Sequence, residues 1–299
     1  VSINIPSHFV QQFSSNIALL LQQRGSKLRD AVTVGRHVGK QASPVDQIAS
    51  ITASKVTSRF SPMGRVDAAV DRRWVFPVDY DLPQLLDSFD KLRLITDPQS
   101  AYVQNAIYAM GRAMDDEILA AFYADAKTGE NGGTTTVANT TASTSGGQQV
   151  VAAFGAASAT GLTVAKLREA RRVLMANEVD VDNDPMYCIV TSKQLDNLLA
   201  EAQVTSRDFN DRLVLTDGKI ASFLGINFIQ CERVPTNGSS QHRCPVYVKS
   251  GMYMGMWDDI KTSISQRNDL QGEPWQVYAT GTFGATRIEE KRIVEIVCA

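Results

Sequence analysis

Apolar residues recur most regularly between positions 98 and 126. Val103, Ile107, Met110, Met114 and Ile118 follow one another every three or four residues, with Ala121 and Phe122 completing the stripe. That spacing predicts a helix with one buried face. Asp97 suits its cap and Pro98 its first position, where a missing N–H costs nothing. A helix over 98–126 would be a rod of roughly 43 Å, long beside the usual 11 or 12 residues. A second helical pattern covers 7–24, through Phe9, Phe13, Ile17, Leu20 and Leu21. Residues 25–73 scatter glycine and proline among Val, Ile and Arg, and the partial alternation over 45–60 predicts long exposed strands. This stretch holds too few apolar residues to fold alone, so a neighbour is expected to order it. A strand interrupted by Pro77 is expected over 74–83, then a short helix near 84–90.

The polar segment 127–150, rich in Gly, Thr and Ser, predicts an exposed loop or irregular hairpin. Beyond it the pattern changes. Thr163 is placed to cap a helix over 164–178, with Val164, Leu167 and Leu174 inward. Tyr187–Val190 predicts a buried strand, and Thr191 with Gln194 a capping box for a helix through Leu199. Residues 219–230 predict an apolar stretch, a turn at Gly225 and a strand. Further strands are expected at Pro245–Val248, 251–257 and Val277–Thr280, and in the alternation Thr286–Val297, anchored by Ile288, Ile293 and Ile296. The class is α+β.

Composition adds an asymmetry. The 299 residues are 43% hydrophobic and 21% charged, with net charge −2. Residues 1–73 nevertheless carry ten Lys or Arg against four Asp, which leaves the remainder acidic. Arg24, Lys27, Arg29, Arg36 and Lys40 fall within 17 residues, broken only by Asp30. Such an end can neutralise the acidic body of a neighbouring copy, the favoured reading, or touch phosphate without reading sequence. The start has no basic segment followed by an apolar one, and no apolar run is long enough to span a bilayer, so a cytoplasmic product with reduced thiols is expected.

Candidate chemistry is thin. Cys231, His242 and Cys244, with Cys188 as a fourth, lack the paired spacing of a zinc site. Asp180, Asp182 and Asp184 echo a calcium loop, but Pro185 stands where that loop needs Gly and Thr191 where it needs Glu, so an acidic turn is expected. His8, His37 and His242 lie near no nucleophile elbow, and Gly25–Ser26–Lys27 lacks the preceding glycine of a phosphate loop. No catalytic, cofactor or metal site is assigned.

The order of these features resembles the major capsid proteins of tailed double-stranded DNA bacteriophages, which share the HK97-like fold. FVQQFSSNIALLLQQRGSKLR is similar to their N-terminal arm, and DPQSAYVQNAIYAMGRAMDDEILAAFYADA to their spine helix. GKIASFLGINFIQ resembles a turn and strand of the axial domain, and EPWQVYATGTFGATRIEEKRIVEI the strands closing the peripheral domain. The resemblance implies an arm at 1–45, an extended β-loop at 46–80 and a peripheral domain at 81–149 with the spine helix 98–126. It implies an axial domain at 150–260 and closing strands at 261–299. It further implies hexamers and pentamers in an icosahedral shell around double-stranded DNA. Scaffolding, portal and possible decoration proteins would be partners, DNA contact would be nonspecific, and no membrane would be involved. The shell would be assembled in the host cytoplasm and the protein would reside in the virion capsid. The rival readings are an encapsulin-like compartment around protein cargo, a hydrolase with a dispersed active site, and a DNA-binding accessory protein.

Overall fold

The described residues begin with short extended segments: β1 (Thr33–Arg36), β2 (Ala42–Ile48), β3 (Val70–Val75) and β4 (Val78–Leu86). The long helix α1 (Gln99–Tyr123) follows, then β5 (Ala126–Thr128), β6 (Thr134–Thr136) and β7 (Gln149–Val150). An α/β stretch comes next: α2 (Val164–Ala176), β8 (Met186–Val190), α3 (Ser192–Leu199), β9 (Leu215–Thr216), β10 (Lys219–Ile220), β11 (Ser222–Phe223), β12 (Ile226–Gln230) and β13 (His242–Val248). The chain closes with β14 (Met252–Gln266), β15 (Trp275–Arg287) and β16 (Ile293–Cys298). This is a computed structural model describing residues 22–40, 42–53, 55, 58, 64–86, 99–138, 140–201, 204, 215–216, 219–220 and 222–299. The helix expected over 7–24 lies mostly outside these residues, and 22–24 are irregular.

One sheet has the order β1-β14-β15-β4, with β1 parallel to β14 and the other pairs antiparallel. α1 lies against β14 and β15, burying Ala106, Met110, Met114, Ile118, Leu119 and Phe122. Val103 is half-buried and Ile107 is 37% exposed, so the upper part of the expected core stripe turns toward solvent and Ala106 takes its place. The helix also stops short of 126. The Arg287 guanidinium donates to the carbonyls of Ala121 and Phe122, at 3.0 Å each, and to that of Ala124. A buried cation on the last turn satisfies groups that another helical turn would otherwise bond, and Ala126 starts a strand instead. Residues 84–86, expected in a helix, are the end of β4, held by pairing to Trp275–Val277.

The second large sheet, β11-β12-β8-β13-β16-β7, is covered on one face by α2. All six residues of β16 are buried, as are the last five of β13. A strand with no solvated face belongs inside a sheet, and β16 pairs with β13 and β7 there. Strand pairing links segments on both sides of residue 260. Ile293–Cys298 join the sheet of the expected axial unit, while β14, from Met252 onward, belongs with β15. One contiguous apolar core runs through both sheets and α1.

The α2 cap forms as expected, Thr163 Oγ1 accepting from the Lys166 N–H at 3.4 Å. The box at α3 does not. Gln194 instead accepts from the Leu162 N–H at 3.0 Å and donates to the Ala299 carbonyl, tying the last strand's end to the loop before α2. Glu232 Oε1 accepts from a different first-turn group, the Ser192 N–H, at 2.7 Å.

Candidate assembly surfaces

Residues 22–28 form a strap on α1. The fully buried Asp115 carboxylate accepts from Ser26 Oγ at 2.5 Å, the Lys27 N–H at 3.0 Å and the Leu28 N–H at 3.2 Å, and also from Gln23 Nε2. One turn earlier, Gly111 lets the strap's backbone touch the helix: a Cβ there would lie 2.6 Å from the Gly25 carbonyl carbon and the Ser26 nitrogen. Between them, Arg112 Nη1 donates to Gln22 Oε1 and the Gln23 carbonyl. A carboxylate and a glycine four apart on one helix face dictate this crossing.

The five basic candidates do not make one patch. Lys27 Nζ donates to the Gln230 carbonyl at 2.8 Å, and Arg29 pairs with Asp259 at 3.1 Å. Burial opposes the ionisation of Asp259, but bonds from Arg29 and the Ile260 N–H, with the nearby Arg36 charge, hold it below its ordinary 3.8. Lys27 and Arg29 thus have partners within the chain, and Lys27, like Arg24, Arg36 and Lys40, is exposed.

β2 and β3 pair as an antiparallel ribbon, with Arg72 and Asp46 bridged across it at 2.6 Å. Its outer part and flanks present Ile48, Ile51, Val66 and Val70 to solvent, each more than half exposed. Its base is fixed. Trp74 Nε1 donates to the Gly129 carbonyl at 2.7 Å, and Val75 is buried. Arg73, 3% exposed, donates to the Ile288 carbonyl at 2.8 Å and to Glu290 Oε2 at 2.6 Å. Glu290 also lies 4.0 Å from Arg287, the residue holding the end of α1. One carboxylate thus links the ribbon's base to the long helix.

Among the described residues no group of His, Cys, Asp and Glu is arranged to hold a metal ion. Cys188, Cys231, Cys244 and Cys298 are free, buried thiols, and His242 faces Cys298 across the β13/β16 ladder. His37 Nε2 lies 2.6 Å from the Tyr253 hydroxyl, in an aromatic contact that also includes Trp257. Asp180 spends its carboxylate on its own turn, accepting from the Asn183 N–H at 3.1 Å and Asn183 Nδ2 at 2.7 Å. No described helix is long and apolar enough to cross a membrane. The anchoring residues Asp115 and Glu290 were not singled out from the sequence; an acid inside an apolar helical stripe was the available signal for Asp115.

These surfaces accord with the comparisons. The chain is similar in fold to the capsid of cyanophage P-SCSP1u, with 15% identity and TM-score 0.72 over 97% of this chain and 93% of that one. The capsid of cyanophage Pam1 aligns with 12% identity and TM-score 0.71, over 100% and 98% of the two chains. The capsid of the native GTA particle aligns with 14% identity and TM-score 0.66, over 97% and 95%. No curated protein sequence matches the chain. The family described as phage capsid protein matches residues 5–299, nearly the whole sequence. The chain therefore belongs to the phage capsid protein family and has the HK97-like fold.

Proposed function

We propose that this protein is the major capsid protein of a tailed bacteriophage, assembling through hexamers and pentamers into an icosahedral shell around double-stranded DNA. The observation that carries the reading is the β2–β3 ribbon, whose base is locked to the body while Ile48, Ile51, Val66 and Val70 stand in solvent. Apolar side chains on a projecting ribbon favour association, and a fixed base limits the orientations that association must order. The family match supports a phage shell over a compartment for protein cargo. Scaffolding, portal and decoration proteins are the partners such a shell calls for, with nonspecific DNA contact through exposed Arg24, Arg36 and Lys40. Assembly in the host cytoplasm and residence in the virion follow from the same reading.

The test is electron microscopy of the protein produced with its assembly partners, beside a chain lacking residues 1–21. That cut spares the strap on Asp115 and strand β1, which a cut at residue 40 would remove. Closed particles from the full chain, and few or none from the truncated one, are expected. Dispersed subunits from the full chain would refute the shell reading, and normal shells from the truncated chain would refute the arm's part in it.

A further inference from the structure

The outward face of α2 carries Arg168, Arg171 and Arg172 beside Met175 and Ala176, and with Leu224 these line an open hollow of about 520 Å³. Arg172 is matched by Glu169, through bonds of 2.7 and 2.8 Å. Arg171 Nη1 donates to the Leu224 carbonyl at 3.0 Å, but its buried Nε has no hydrogen-bond partner among the described residues. Arg168 is exposed and its side chain has no partner among them either, and Met175 is 54% exposed. The hollow therefore offers unmatched positive charge around an apolar floor. Arginine with methionine is the mixture enriched where proteins meet.

The complement lies on the same chain. The loop that follows α2 puts Glu178, Asp180, Asp182 and Asp184 within seven residues, interleaved with half-buried Val179 and Val181. Asp180 holds the loop's own turn, and Asp184 Oδ2 accepts from the Ser250 N–H at 3.2 Å. The Glu178 and Asp182 side chains are exposed and unmatched among the described residues. The loop is thus a preformed acidic knob, shaped by its own hydrogen bonds before any partner arrives.

We infer that the arginine hollow of one copy receives the 178–184 loop of the next copy. Two different, complementary patches on one subunit make a heterologous contact, the kind that closes into a ring when the rotation between copies allows it. Several such contacts around a ring add, so each can be weak while the ring is stable. The inference rests on the shell reading and deepens it, naming a contact that holds a pentamer or hexamer together.

A charge exchange tests it, with wild type as control and assembly partners present. Arg168→Glu and Asp182→Arg, each alone, are expected to cut the yield of closed particles about tenfold, because like charges then face each other. The two changes together are expected to restore most of that yield. Single variants that assemble as wild type does, or a double variant no better than the worse single one, would overturn the contact.

A second readout uses Met175→Cys with Asp182→Cys. The native thiols are buried, so mild oxidation of assembled particles should yield a non-reducing ladder reaching five or six linked subunits. Closed particles giving no more ladder than single-cysteine controls would sink the contact. Arg168→Glu particles that form normally but hold less DNA would assign the hollow to nucleic acid and overturn it as well. Wild-type subunits that never close into shells would remove the shell reading and this inference together.

Discussion

The Lys27 backbone N–H lies 3.0 Å from the Asp115 carboxylate, joining residues 88 positions apart in the chain. Ser26 and Leu28 add their own bonds, and no solvent reaches Asp115 to replace them. Asp115→Asn keeps the shape but turns one acceptor into a donor facing other donors. Charge-assisted bonds to a buried carboxylate are worth about 1.5–3 kcal/mol, so the unassembled subunit should lose about 3 kcal/mol in urea unfolding. Cleavage by protease within 22–28 should speed up in parallel. Equal midpoints for the two proteins would refute the anchoring role.

Gly111→Ala sets two effects against each other. Alanine favours the helix by about 1 kcal/mol over glycine. Against that, the new methyl would sit 2.6 Å from backbone atoms of Gly25 and Ser26, which have no flexible end to move aside. Overpacking of this kind costs about 1–3 kcal/mol, so the strap should lift and the variant be net destabilised. Hydrogen exchange at Leu28 should then rise while exchange at the buried β13 core stays as in wild type. A stabilised variant with the same protection at Leu28 would count against the close crossing.

Glu290 stands between two buried guanidinium groups, those of Arg73 and Arg287. Burial pushes the Arg287 guanidinium below its ordinary range, with Glu290 the main opposing influence. Glu290→Gln would leave both cations without their nearest counter-charge, Arg287 keeping only the weaker influence of Asp125, at a cost of about 3–5 kcal/mol. Asp67→Asn is the contrast. Its pair with Arg65 is largely solvated, so its loss should cost under about 1 kcal/mol. Urea titrations of the two variants should separate by at least about 2 kcal/mol, and similar values would mean that the buried junction carries no special weight.

The long helix was legible because one buried face leaves a periodic trace, as Met110, Met114, Ile118 and Phe122 do. Its end was not, because Arg287, far downstream, captures the last carbonyls. Thr191 and Gln194 have the spacing of a capping box, yet Gln194 is claimed by Leu162 and Ala299, partners that local sequence does not reveal. Ile293–Cys298 read as a strand, but pattern alone does not name its neighbour, and β13 turned out to be the partner. The assembly surfaces were harder still. Arg168 and Asp182 look like ordinary solvated charges until the fold shows that neither is matched within the described chain.

Acid should expose one more pairing. Two hydrogen bonds from Arg172 hold Glu169 below its ordinary 4.5, outweighing the opposing effect of burial. A carboxylate whose folded value is depressed stabilises the fold fully above its unfolded value and loses that contribution as pH falls through the lower, folded one. The stability gap between wild type and Glu169→Gln should therefore be constant near neutrality and shrink as pH drops below 4.5. Arg172 is more than half exposed, so solvent screening keeps the gap small. Unfolding midpoints for both proteins across the acid range measure it directly. A gap that held steady or widened on acidification would show that Glu169 draws no ionised stabilisation from Arg172.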